Sequence, residues 1–298
     1  MQPLEHDQSP RGALERARRL EATDPAEAGR LYFEALQRDP SSLEAHNALE
    51  RLRDPRRYST WMRVNCTIHP DDDIFNFIVR EPYSHNPVRD YLADGWRTLS
   101  ETMVVLERLG RPLTRTGRVL EFASGYGRFT RHLAKVLPGR VTCSEILPEA
   151  VDFAREQFGV DAFPSSYDPA EVDFRGRYDL VFVLSLFTHL PVPAWKGWLR
   201  ALGDAVAPGG VLLFSVHGEE LASPERGVQL NDEGYCYMPH SESATLDPDF
   251  YGTTLTTRRL VLDQVREVFG AEPDLYAPGA FWLAQDAVAI MPRGPSDA

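Results

Sequence analysis

Two glutamates, two glycines and a few histidines are the residues of this chain whose types and spacing carry chemistry. The stretch Val119-Leu120-Glu121-Phe122-Ala123-Ser124-Gly125-Tyr126-Gly127-Arg128 runs from an apolar strand into two closely spaced glycines. Glycines at such a turn remove the side chains that would hold the backbone away from a ligand. Beyond them Phe129, Leu133, Ala134 and Val136-Leu137 recur at roughly helical spacing, so the free N–H groups of a helix start face the same place. Arg140 to Glu145 reads as a second strand ending in a carboxylate, about 20 residues after the glycines, where it can accept hydrogen bonds from ribose hydroxyls. The set suits a nucleotide-type cofactor. Of the eight histidines, His189 and His217 follow strand-like runs and His240 lies in a loop-rich stretch. Imidazole is the side chain suited to removing a proton near neutrality, and Glu219 beside His217 is placed to orient one or to bind a cationic acceptor. His132, on the helix after the glycines, reads as structural.

A dinucleotide fingerprint needs G-x-G-x-x-G. Counted from Gly125 the third position is Thr130, and counted from Ala123 it is Arg128, so the helix-packing glycine is missing. What remains, Glu121-x-Ala123-x-Gly125-x-Gly127, resembles the first motif of class I S-adenosylmethionine-dependent methyltransferases, with Ala123 in place of a consensus glycine. The elements downstream extend the resemblance over residues 117 to 292. A helix from Pro148 to Phe158 is followed by a short strand, Val160 to Phe163, with Ser165-Ser166 at its end. Tyr178 to Ser185 is a near-continuous apolar run of the kind a strand buried on both faces shows, and it leads into Phe187-Thr188-His189-Leu190-Pro191. Val206 to Gly210 makes a turn into the strand Val211 to Val216. Thr257 to Phe269 reads as the last large helix, with strands at Asp274 to Tyr276 and Gln285 to Met291.

The resemblance implies an α/β, doubly wound, mostly parallel seven-stranded sheet and S-adenosylmethionine as cofactor. It implies cofactor contacts from Glu121, Ala123, Ser124, Gly125, Gly127, Arg128, Glu145, Ile146, Ser166 and Ser185. Methyltransferases of this kind commonly close a segment before the core over the cofactor, and Tyr83, Asn86 and Tyr91 are the expected lid contacts. Gly218 to Thr256 is too long for a simple connection; its strand-like pieces Gly234 to Met238 and Phe250 to Leu255 predict a flap over the site. For a hydroxyl acceptor the expected bases are His189 and His217. The acceptor is expected to be a small polar metabolite, methylated on O or N. Two other functions stay open: a non-catalytic, cofactor-binding scaffold recruited through its N-terminal helices, and a nicotinamide-dependent oxidoreductase.

Composition limits the partners. A net charge of −12 opposes nucleic acid, whose binding rests on Lys and Arg neutralising phosphates. No apolar run reaches membrane-spanning length and the N-terminus has no secretory pattern, so a cytoplasmic protein is expected. Cys66, Cys143 and Cys236 give neither a disulfide framework nor metal-ligand spacing, and no metal is expected. Lys135 and Lys196 are the only lysines among 32 basic residues, which points to a GC-rich bacterial genome.

Upstream, residues 1–57 are read as a helical hairpin. Ala28, Leu31-Tyr32, Ala35-Leu36, Asp39-Pro40, Leu43, Ala45-His46 and Leu49 resemble one tetratricopeptide-type repeat, and Gly12 to Glu21 adds a preceding helix. A single unit leaves an apolar face bare, so packing on the core or on a second copy is expected, a homodimer through these helices or the flap included. Residues 58–116 are a connecting or lid segment containing a helix from Tyr91 to Leu109, its expected apolar face being Leu92, Trp96, Leu99, Met103, Leu106 and Leu109. Residues 117–298 form the core, with the flap at 218–256.

Overall fold

The computed structural model describes residues 10–223, 228–243 and 245–292. The chain divides into two units, Met1–Ala93 and Asp94–Ala298.

The first unit starts with three helices, α1 (Pro10–Leu20), α2 (Pro25–Arg38) and α3 (Leu43–Arg51). Asp24 caps α2 by accepting from the Glu27 N–H, with Pro25 at the first helical position, and Ser42 caps α3 through Ala45. Ala13, Ala17, Ala28, Ala35, Ala45 and Ala48 are buried where the helices meet, with Leu31, Tyr32 and Leu49 filling the space between. The small residues permit close approach, and α1 supplies the third wall that a hairpin alone lacks.

The first unit runs on past residue 57. Residues 58–93 carry α4 (Tyr58–Met62), α5 (Asp73–Arg80) and the start of α6 (Pro87–Arg108), and they are stitched to α3. The buried His46 donates from Nε2 to the Cys66 carbonyl at 2.7 Å, and Asn47 exchanges two hydrogen bonds with the Ile68 backbone. The residues expected as lid contacts do other work here. Tyr91 is fully buried, set edge-on to Phe75, and its hydroxyl donates to the Asp72 carboxylate, which also caps α5. Asn86 accepts from the Arg89 N–H at the start of α6 and donates to the Tyr58 hydroxyl. Tyr83 is 70% exposed.

On α6 the buried stripe is Val88, Tyr91, Leu92, Thr98, Leu99, Thr102, Val105 and Leu106, whereas Trp96 and Met103 are exposed. Two threonines, polar by type but able to bury a methyl, shifted the face away from the one read from large apolar residues alone.

In the second unit a seven-stranded sheet is built from β1 (Val119–Phe122), β2 (Val141–Glu145), β3 (Asp161–Pro164), β4 (Tyr178–Val183), β5 (Val206–Val216), β8 (Leu275–Phe281) and β9 (Gln285–Ile290). Its order is β3-β2-β1-β4-β5-β9-β8, with β9 alone running against its neighbours. Between the strands lie α7 (Thr130–Val136), α8 (Pro148–Phe158), α9 (Trp195–Asp204) and α10 (Arg258–Phe269).

Alternate strand residues go to opposite faces. Leu120, Phe122, Val181, Val183, Leu212 and Phe214 pack with Trp195, Trp198, Leu199 and Leu202 of α9 and Val261 and Val265 of α10. Val119, Leu180, Phe182, Val211 and Leu213 pack with Leu99 and Leu106 of α6, Leu133 of α7 and Ala154 of α8. The helices change face between β1 and β4, and in such a sheet the crevice outside the strand ends at that point is where ligands bind. The expected turn at Pro208-Gly209 is absorbed into β5 as an irregularity of its pairing with β4. Among the described residues no helix is long and apolar enough to cross a membrane.

Candidate active site

The turn after β1 has left-handed backbone at Ala123, Gly125 and Gly127, with φ of 59°, 55° and 77°. The two glycines are there for different reasons. A Cβ on Gly127 would lie 2.3 Å from the Phe158 ring, so this glycine lets α8 pack on the turn. A Cβ on Gly125 would meet nothing within 4 Å, so no described residue fills the space in front of it. Ala123 accepts a left-handed conformation that costs an L-residue about 1–2 kcal/mol, and its methyl packs against the core under the sheet. Ser124 is buried, and its N–H donates to Ser144 of β2.

Glu145, at the end of β2, joins the strand to the turn. One carboxylate oxygen accepts from the Gly125 N–H at 2.8 Å, the other from Ile146 at 2.7 Å and Leu147 at 3.4 Å. Burial pushes its pKa up, against the pull of these three backbone donors. A carboxylate has about four acceptor positions; three are taken, which leaves one for a ligand hydroxyl. Glu145 is therefore first a pillar of the turn.

Glu121 is 5% exposed, and burial pushes its pKa up to about 8; the Thr130 hydroxyl, donating at 2.7 Å, and the Arg128 and Arg131 charges pull the other way. The folded protein thus keeps a proton that an unfolded glutamate releases near pH 4.3, so this group's contribution is complete below that pH and is lost as the pH climbs towards 8. His217 acts oppositely: burial depresses it to about 4, so its contribution is present above the unfolded value of about 6.5 and is lost on acidification. Only Glu121 of the two acts between pH 6.5 and 8. Stability of the protein alone should fall there by roughly 1 kcal/mol per pH unit, and Glu121→Gln should flatten that slope in denaturant melts. An unchanged slope in the variant would show that Glu121 is ionised throughout.

Ser166, after β3, donates to Glu171 at 2.6 Å and accepts from the Asp168 N–H, so its hydroxyl is engaged in its own turn. Ser185, after β4, has φ of 61° and donates its N–H to the Ser215 hydroxyl at 2.8 Å. The Gln285 amide joins both serines, donating to Ser185 at 2.8 Å and accepting from Ser215 at 2.7 Å.

The insertion contains the expected hairpin, β6 (Tyr235–Met238) paired antiparallel with β7 (Thr253–Thr256). The base of this flap is bonded to the loop after β4. Gly252 and Thr254 donate backbone N–H groups to the carbonyls of His189 and Thr188 at 3.0 and 2.7 Å, and the Thr254 hydroxyl donates to Leu190 at 2.6 Å. Thr256 donates to the His217 carbonyl at the end of β5. Phe250 lies against Tyr167, beyond β3, with ring centroids 5.1 Å apart. The flap therefore touches the ends of three strands.

His189 is 5% exposed and stacked on Tyr251 at 4.4 Å. Its Nδ1 donates to the Gly252 carbonyl at 2.6 Å and its Nε2 lies 3.2 Å from Glu242 of the flap. Burial would raise the Glu242 pKa, but the hydrogen bond and charge of His189 bring it below the usual carboxylate range. Both ring nitrogens of His189 are occupied, so the expected base is here a clasp for the flap. The His217 ring is 6.3 Å away, and its buried Nδ1 has no hydrogen-bond partner among the described residues. His240 and Glu219 are exposed. Among the described residues no cluster of three potential metal ligands occurs.

The sequence profile of the methyltransferase domain matches residues 97–245, half of the chain. The chain belongs to the methyltransferase-domain family. No curated protein matches it. Among solved structures, magnesium protoporphyrin IX methyltransferase ChlM of Synechocystis PCC 6803, with bound S-adenosylhomocysteine, superposes with a TM-score of 0.50 at 14% identity, over 73% of this chain and 92% of that one. The complex of DhpI with SAM and HEP gives 0.47 at 21% identity, over 68% and 94%. An S-adenosylmethionine-dependent methyltransferase of Clostridium acetobutylicum gives 0.45 at 12%, over 80% and 96%.

In this methyltransferase the fit to a nucleoside cofactor rests on the open space before Gly125 and the one unused acceptor position of Glu145. Sequence reasoning missed Glu242, Gln285 and Trp282. Glu242 sits in an acid-rich stretch without periodicity, and Gln285 and Trp282 are brought to the site only by the pairing of the last two strands.

Proposed function

We propose that this methyltransferase moves the methyl group of S-adenosylmethionine to the oxygen or nitrogen of a small polar acceptor held beneath the flap. The observation that carries the reading is the open space before Gly125, bounded by the Glu145 carboxylate, at the point where the helices change face. The sulfonium of the cofactor supplies the reactivity, and the chain supplies alignment, exclusion of water and, for a hydroxyl, a proton acceptor. Glu145 and the backbone of the glycine turn hold the nucleoside. The flap, anchored by Thr254 and clasped by His189 and Glu242, covers the reacting atoms. For a hydroxyl acceptor His217 offers a ring nitrogen with no partner among the described residues, although burial, by depressing its pKa to about 4, weakens it as a base; an amine arriving deprotonated needs no such group. The net charge of −12 supports a small acceptor over a polyanion.

Calorimetry tests the cofactor and labelled methyl transfer tests the reaction. S-adenosylmethionine and S-adenosylhomocysteine should bind and NAD should not, and label should pass from S-adenosylmethionine into a metabolite extract. Binding of NAD without response to S-adenosylhomocysteine would restore the oxidoreductase reading; cofactor binding without transfer into extracts of several sources would favour the scaffold.

A further inference from the structure

Arg128 follows the second glycine of the turn, but its side chain leaves the turn. The guanidinium carbon lies over the Trp282 indole, 4.5 Å from the ring centroid, and the side chain is 17% exposed. Its nearest acid, Asp94, is at 3.7 Å, beyond hydrogen-bond distance, and among the described residues no acceptor takes any of its five N–H donors.

The plate beneath it is held at a cost. Trp282 and Leu283 form the two central residues of the β8–β9 turn, closed by the Ala284 N–H on the Phe281 carbonyl, and both have left-handed backbone with φ of 53° and 60°. Such turns favour Asn-Gly, and bulky side chains there persist only where their surroundings hold them. Here Phe281 is fully buried, and the Trp282 N–H donates to Glu101, itself fixed by Arg97 at 2.8 Å. The indole Nε1 is buried with no partner among the described residues. A guanidinium is thus held against an aromatic ring, ion-paired with Asp94 at 3.7 Å but with no hydrogen bond from its fork among the described residues.

We propose that Arg128, laid on Trp282, recognises a carboxylate of the methyl acceptor, so that this enzyme methylates an organic acid at another of its groups. The inference rests on the methyl-transfer reading. A planar fork matches the two oxygens of a carboxylate, and the indole against it restrains where the fork can turn. Glu242 and Asp94 lower the local positive potential, so recognition depends on in-plane geometry rather than on long-range attraction.

The protein saturated with S-adenosylhomocysteine is titrated with benzoate and with benzamide, its uncharged counterpart, and binding is followed by ligand-observed NMR. Benzoate should bind at least about tenfold tighter, as a charge-assisted bidentate pair requires. Arg128→Gln should remove the preference, and Arg128→Lys, which keeps the charge without the fork, should lose most of it. Affinities for S-adenosylhomocysteine and for 5′-methylthioadenosine, which lacks the amino-acid moiety, are measured on the same variants and also report folding. Equal binding of benzoate and benzamide to the parent protein, or of neither, overturns the proposal. So does a variant that loses S-adenosylhomocysteine but keeps 5′-methylthioadenosine, because the guanidinium then belongs to the carboxylate of the cofactor. Failure of the parent protein to bind S-adenosylhomocysteine would remove the underlying methyl-transfer reading instead.

Discussion

Gly125→Val is expected to lower affinity for S-adenosylhomocysteine by more than about 100-fold, equivalent to about 2.7 kcal/mol, while the protein stays folded. A Cβ at this position meets no atom of the described residues within 4 Å, so the added side chain would enter the space proposed for the cofactor rather than clash with the protein. The left-handed backbone, φ 55°, adds a cost of about 1–2 kcal/mol for an L-residue, a fraction of the 5–15 kcal/mol typical of a folded domain. Gly127→Ala is the informative contrast. Its methyl would enter the Phe158 ring, so the loss should appear as a lower melting temperature first and weaker binding as a consequence. Calorimetry and thermal melts on both variants separate the two causes. Undiminished binding by Gly125→Val would place the cofactor elsewhere.

Replacing residues 225–250 by a short Gly-Ser linker is expected to abolish methyl transfer while changing S-adenosylhomocysteine affinity only slightly. The deletion removes β6, Glu242 and the Phe250 ring that reaches Tyr167, but spares the glycine turn and Glu145. Loss of the cover lets water into the site and leaves the acceptor unpositioned, and alignment alone accounts for about 7–11 kcal/mol of a barrier in favourable cases. Transfer of label into extract metabolites gives the readout. Unchanged transfer would show that the segment does not enclose the reaction; a simultaneous change in molecular mass by light scattering would identify it as a contact between copies.

The sheet was legible because its strands are short apolar runs bounded by breakers and their order follows from the alternation with helices. The flap hairpin was legible for the same reason, since Tyr235 to Met238 and Thr253 to Thr256 have strand composition inside a long insertion. Local reading failed where a residue's role depends on a distant partner. Tyr91 looked like a ligand contact, but Asp72, 19 positions earlier, takes its hydroxyl into a core. His189 looked like a base until Gly252 and Glu242, more than 50 residues on, filled both its nitrogens. The face of α6 was misplaced because Thr98 and Thr102 are buried while Trp96 is exposed, and residue type alone cannot weigh a buried methyl against an exposed indole.

The strand order also sets when this fold can close during synthesis. β5, at the middle of the right half of the sheet, pairs with β4 on one side and with β9 on the other, and β9 comes latest in sequence of the strands in this sheet. Until about residue 290 has left the ribosome, one edge of β5, with Leu212, Leu213 and Phe214, has no strand beside it, although the glycine turn and Glu145 are long since made. A nascent chain halted after α10 would present an open, strongly apolar edge of the kind that recruits other strands. The half of the sheet that carries the glycine turn is complete early, and protection of the nascent chain from aggregation waits on β8 and β9.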